Sequence, residues 1–232
     1  MIKLFLTAVF LFSSMASFAN TSLDSEENLR RREAFTITNV KIHQISAVDG
    51  VLAGPVNLNP VAEIIMVLDN ILAIGKKIWP IIEAGTPVVT TKMAPAISVI
   101  PNIDGTNVVL AQMENWSVPR MVSYRISFTN ALNMEVVGFT YTVYFQHGGT
   151  YLGKGKYITN LKIQASNVAA SWGSNFEASS ELIGISNVGT TEGPLASAIV
   201  QVSYVAKGVF NQYAGARSFY LDGAGHMSPI ND

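Results

Sequence analysis

The chain has no cysteine. That excludes a disulfide framework, a thiolate metal site, a cysteine nucleophile and lipid attachment through cysteine. Charge is sparse as well: Asp, Glu, Lys and Arg make up 13% of the residues, against roughly 25% in an average soluble protein. The signs nearly cancel, with 15 Lys and Arg against 16 Asp and Glu and a formal net charge of −1. Such a balance offers no electrostatic footprint for nucleic acid, whose recognition rests on a basic surface.

Histidine is scarce too. His43, His147 and His226 lie in three separate segments and lack the i, i+4 spacing of a helical metal site. The Asp-Gly pairs at 49–50, 104–105 and 222–223 read as turns, because none gathers the oxygen ligands of a calcium loop. Glu114, Glu135, Glu177, Glu181 and Glu192 are dispersed, and nothing nominates a pair for glycosidase-like chemistry. The expectation is a protein that is not an enzyme and holds no metal or cofactor.

Apolar residues, in contrast, are plentiful: 49% of 232 residues are hydrophobic. That is ample for a core and far from the composition of disordered chains. Met1-Ile2-Lys3, the apolar run Leu4 to Phe12 and the small-residue end Ala16-Ser17-Phe18-Ala19 form the three parts of a secretory signal. The run is shorter than the about 20 residues a bilayer span needs. Residues 1–19 are therefore expected to be a signal peptide cleaved near Ala19, giving a secreted or periplasmic protein. An oxidising compartment also suits a chain without free thiols. Residues 20–34, with Arg30-Arg31-Arg32, read as a polar leader, flexible or helical.

From Asn59-Pro60 onward a helix is expected over 60–79, since Asn is a good N-cap and Pro is tolerated at the first helical position. On a 100° wheel Val61, Ile64, Ile65, Val67, Leu68, Ile71, Leu72, Ile74, Ile78 and Trp79 share one half, which is the pattern of an amphipathic helix. After Pro87 the period becomes two. Tyr124, Ile126 and Phe128 alternate with Ser123, Arg125 and Ser127, then Val137, Phe139, Tyr141, Val143 and Phe145 alternate with polar residues. Turn residues Asn130-Ala131-Leu132-Asn133 between the two runs predict an antiparallel hairpin. Many short strands at about ten-residue spacing predict a mainly β chain: an antiparallel β-sandwich of immunoglobulin-like type with one N-terminal amphipathic helix. The organisation is then signal peptide 1–19, leader 20–34, strand-and-helix extension 35–85, β-sandwich 86–222 and a flexible tail 223–232.

The most distinctive local run is Gly148-Gly149-Thr150-Tyr151-Leu152-Gly153-Lys154-Gly155-Lys156-Tyr157. It lacks the phosphate-loop signature and leads into a strand. It reads as a long hairpin loop, in which Tyr151 and Tyr157 would stack on a ligand while Lys154 and Lys156 contact an anion or a sugar hydroxyl. The leading expectation is an exported, non-catalytic sandwich that binds a protein or carbohydrate ligand, associates with itself, or builds a surface structure. The alternative is a membrane-active protein whose helix touches lipid through Ile64, Leu68, Ile71 and Ile78. In element order alone, a helix ahead of a cysteine-free sandwich resembles the actinoporin arrangement, which implies pore formation as the activity behind that alternative.

Overall fold

The computed structural model of the chain describes residues 25–49, 63–84, 86–87, 96–103, 106–108, 110–171 and 173–230. The signal-peptide segment lies outside the described residues, as do Trp172 and the first residues of the expected helix. The chain is mainly β, with two antiparallel sheets and one helix. Helix α1 covers 25–35, most of the polar leader and one residue beyond it, and an exposed Glu27–Arg31 pair at 2.7 Å sits one turn apart on it. The strands are β1 (Ile37–Asp49), β2 (Ile64–Leu68), β3 (Ile71–Ile74), β4 (Ile78–Glu83), β5 (Thr86–Pro87), β6 (Ile97–Ile103), β7 (Thr106–Asn107), β8 (Arg120–Asn130), β9 (Glu135–Tyr151), β10 (Lys154–Ala170), β11 (Asn175–Asn187), β12 (Ala196–Lys207), β13 (Gln212–Asp222) and β14 (Met227–Ile230).

One sheet runs β1-β8-β9-β10-β6-β3-β2, with β7 attached to β6, and the other runs β14-β13-β12-β11-β4-β5. The expected β8–β9 hairpin forms, with Tyr124 opposite Tyr141 and Ile126 opposite Phe139. Its turn is organised by Asn130, which is buried. The Asn130 amide oxygen accepts from the backbone N–H groups of Leu132 and Met134 at 3.0 and 2.9 Å, and its nitrogen donates to the Ala34 carbonyl at 2.8 Å. One side chain thus shapes the turn and holds the end of α1. The chain passes between the sheets at β3–β4, β5–β6 and β10–β11, but from β8 onward its consecutive strands are sheet neighbours, β8 to β10 in one and β11 to β14 in the other. Immunoglobulin sandwiches instead pass between sheets by Greek-key connections, so the topology lends no support to the immunoglobulin-like part of the expectation.

The helix expected over 60–79 is not present among the described residues. Residues 64–83 form β2, β3 and β4 instead. Asp69-Asn70 is a two-residue turn, with Asp69 at φ 47° and Leu68 paired to Ile71 across it. The helical wheel failed for a physical reason. Strand β3 is buried on both faces from Ile71 to Ile74, and a doubly buried strand is apolar throughout, so its periodicity cannot be told from that of a buried helix. The four residues expected to meet lipid from one helical face are therefore spread over three strands: Ile71 is fully buried, whereas Ile64, Leu68 and Ile78 are exposed. The tail differs from expectation as well. It continues as β14, which pairs with β13 from Ser218–Ile230 to Leu221–Met227.

The sheets meet through aromatic side chains. Phe128 on β8 contacts Phe176 on β11 and Tyr204 on β12, both at 5.8 Å between centroids. Phe139 on β9 lies 4.6 Å from Phe176, and Tyr124 and Tyr141 lie 5.0 and 6.0 Å from Phe219 on β13. These rings alternate along their strands with residues facing outward, so the period of two places a continuous aromatic layer between the sheets. Replacing a fully buried Phe by Ala costs about 3–5 kcal/mol. Phe139→Ala is expected to lose that much in denaturant unfolding, whereas Phe210→Ala, at an exposed position, should change stability by less than about 0.5 kcal/mol.

Candidate binding surface

At one end of the molecule backbone hydrogen bonds stitch the sheets together. Gly148 N–H donates to the Gly223 carbonyl at 2.9 Å and Lys156 N–H to Pro194 at 2.8 Å, while Gly223 N–H donates to Ala196 at 2.8 Å and extends the β12–β13 ladder to the seam. The Arg120 guanidinium donates to the Gly225 carbonyl. Beside this seam, Glu114 and Thr150 exchange backbone bonds at 3.0 and 2.8 Å, and the Trp116 ring lies flat over Gly149, where any Cβ would collide with it. The base of the β9–β10 hairpin is therefore clamped from both sides, and only its tip projects.

The four residues singled out in the sequence lie here, but not as one loop. Strand β9 extends to Tyr151 and β10 begins at Lys154, with Tyr151 and Lys154 paired. The expected long loop is a two-residue turn, Leu152-Gly153. Both residues have positive φ, 50° and 73°, as a type I′ hairpin requires. Tyr157 is only 4% exposed, its ring folded over Gly155, so it offers no face for stacking. Burial also raises its hydroxyl pKa. Tyr151 is half-buried and packs on the core. Lys154 and Lys156 are exposed and make no ion pair among the described residues.

Sequence reasoning missed Leu152. Among the described residues seven non-glycine positions have positive φ; five are Asp or Asn, and the others are Ala84 and Leu152. Asp and Asn tolerate this conformation, whereas an aliphatic residue held there costs about 1 kcal/mol or more. Leu152 is also 81% exposed, the highest among the exposed large hydrophobic residues. The combination is costly twice over, in backbone strain and in apolar exposure.

A second feature lies on the other sheet. Strands β4, β11, β12 and β13 border a cleft of about 420 Å³ that includes Pro80, Ile82, Ala178, Val205 and Ala214, with Glu83 and Glu177 among its lining residues. That volume falls within the about 300–1,000 Å³ of ordinary binding sites. Glu177 makes no ion pair among the described residues.

The titratable groups elsewhere serve the fold. Asp222 is buried, and its Oδ1 accepts from the N–H groups of Ala224 and His226 at 2.8 and 3.1 Å. Its Oδ2 lies 2.9 Å from His226 Nδ1. This carboxylate locks the β13–β14 turn, which explains why the segment is ordered despite its glycines. Between the sheets, burial raises the hydroxyl pKa of Tyr124, opposed by the charges of Arg217 and Arg120. The Tyr141 hydroxyl is raised further, with burial again the larger cause and Arg217 opposing it, and it has no hydrogen-bond partner. Among the described residues no three His, Asp or Glu side chains come together as a metal site, and no helix is long and apolar enough to cross a membrane. Comparisons with protein-family models, with curated proteins and with solved structures returned no match.

The raised tyrosines fix an alkaline limit. Their folded-state pKa values lie above the ordinary 10.0, so stability is intact below that pH and falls as pH rises beyond it, because only the unfolded chain ionises. The slope is about 1.4 kcal/mol per pH unit for each such tyrosine. Tyrosinate absorbance is expected to appear together with loss of fold, and Tyr141→Phe should shallow the decline. At neutral pH that variant should be as stable as the wild type or more so, since it removes an unpaired buried hydroxyl.

Proposed function

We propose that the protein is an exported, non-catalytic binding module of a surface-structural kind, and that the tip of the β9–β10 hairpin is its working part. Export is supported by the three-part pattern of residues 1–19. The non-catalytic reading is supported by the placement of the titratable side chains among the described residues, where the Asp222–His226 pair is consumed in a turn.

The observation that carries the proposal is Leu152, a strained and exposed aliphatic side chain on a rigid hairpin. Folding alone favours Asn-Gly or Asp-Gly at such a turn. Backbone strain that the rest of the structure must offset is a mark of functional positions, and here it displays an apolar anchor between a clamped base and two cations. An aliphatic tip flanked by Lys154 and Lys156 suits a protein surface that is apolar at its centre and acidic at its rim. A carbohydrate partner would call for an exposed aromatic face, and Tyr157 is buried. The membrane alternative loses its device with the helix at 60–79.

Two measurements check this. Leu152→Asn should raise unfolding stability by about 1 kcal/mol, because Asn accepts the left-handed conformation. A photo-crosslinking residue at 152, in the protein expressed by the cells that make it, should capture a protein partner. The same residue at Val209, exposed at the other end, should not. Excess wild-type protein should suppress the adduct and excess Leu152→Asn protein should not. Absence of any protein adduct specific to position 152 contradicts the proposal.

A further inference from the structure

We infer that the partner of the hairpin tip is a second copy of the same chain, with the tip seated in the cleft of β4, β11, β12 and β13, so that copies join head to tail. The inference rests on the binding role proposed for the hairpin and names its partner.

The two surfaces match in chemistry. The tip presents one aliphatic side chain, Leu152, beside the unpaired cations Lys154 and Lys156. The cleft presents Pro80, Val205 and Ala214 together with the Glu177 carboxylate, which makes no ion pair among the described residues. An apolar centre flanked by charge of opposite sign on each partner gives both attraction and register.

They also lie at opposite ends of the molecule, which decides the kind of assembly. Strand β12 begins at Ala196, whose carbonyl bonds to Gly223 in the seam beneath the hairpin, and runs away from it to Lys207. The cleft includes Ser203, Tyr204 and Val205. Tyr204 is eight residues along that strand, about 26 Å at roughly 3.3 Å per residue. A chain cannot satisfy its own cleft with its own hairpin over that distance. Two different patches on one molecule make a heterologous contact, which grows into an open filament unless its rotation happens to close a ring.

The contact is small. A single hairpin tip covers less than the about 800 Å² per partner of a standard stable interface, so each junction is weak and growth needs high protein concentration. Its charge component is exposed and is screened by salt. The low overall charge of the chain limits the repulsion between copies.

The test uses the mature full-length chain in sedimentation velocity over a concentration series, at low and high salt. The expected result is a mass that rises past the dimer with concentration and falls with added salt. Leu152→Asp and Val205→Arg should each reduce association at least tenfold. Mixed together, the two variants should form a one-to-one pair and nothing larger, because one keeps a working cleft and the other a working hairpin. Lys154→Glu with Lys156→Glu should weaken growth, and Glu177→Lys added should restore part of it. The single variants are exposed or at the cleft surface, and unchanged melting temperatures establish that they fold.

A monomer at every concentration overturns the inference, as does a closed dimer, or growth that Leu152→Asp leaves intact. The two proposals fail separately. An adduct from position 152 to a different protein, with the pure chain monomeric, ends the head-to-tail inference and leaves the binding module standing. No adduct at all removes both.

Discussion

Everything in this molecule depends on the aromatic layer between its sheets. Phe128, Phe139 and Tyr141 from one side meet Phe176, Tyr204 and Phe219 from the other, and each ring is buried. With no disulfide and few ion pairs among the described residues, burial of these rings and of the Val, Ile and Leu side chains around them is the dominant stabilising term. At about 1.5–3 kcal/mol for each fully buried large side chain, it far exceeds what an exposed pair such as Glu27–Arg31 supplies, typically under about 1 kcal/mol. The layer also fixes which face of every strand points outward. Gly148, Gly223 and Lys156 can bond across the sheets only because the two sheets are held at that spacing.

The seam in turn makes the hairpin stiff. A free two-stranded hairpin is marginal in water, but this one is a continuation of 17-residue strands whose base is bonded to the other sheet and covered by Trp116. A rigid support of this kind can carry an unfavourable residue at its tip and lose little order. A binding tip that is already ordered also avoids an ordering cost when it meets a partner. The cleft at the other end is lined by small residues as well, among them Ala178, Ala214 and Gly215.

Much of the fold was legible where one face of a strand is wet. Ser123 to Phe128 and Val137 to Phe145 alternate cleanly because polar and apolar faces differ, and the Asn130–Asn133 turn announces itself. Legibility failed where both faces are dry. Strand β3 is buried throughout, so Ile71 to Ile74 fit a wheel as well as a pleat; β2 is exposed yet apolar, and the Asp69-Asn70 turn between them mimics the polar side of a helix. The glycines of the tail suggest mobility, while the ordering agent, the Asp222 carboxylate, acts through bonds that no composition reveals. At the hairpin the sequence shows the glycines but not their reasons: Gly149 makes room for Trp116, and Gly153 completes a turn. Leu152 escaped notice because nothing about a leucine in sequence signals a left-handed backbone. The cleft draws on four strands from 80 to 215, a convergence that only the fold creates.

The absence of cysteine makes the central claim directly measurable, since a single introduced thiol is the only one to label. Spin labels at Glu114→Cys, beside the hairpin, and at Gln212→Cys, beside the cleft, are placed on separate chains and mixed with unlabelled protein held at high concentration. Pulsed electron–electron spectroscopy then reads the distance between chains. The account predicts a short, well-defined distance between a label at 114 on one chain and a label at 212 on the next, lost when Leu152 is replaced by Asp. A featureless background, or a distance that Leu152→Asp leaves in place, would contradict it.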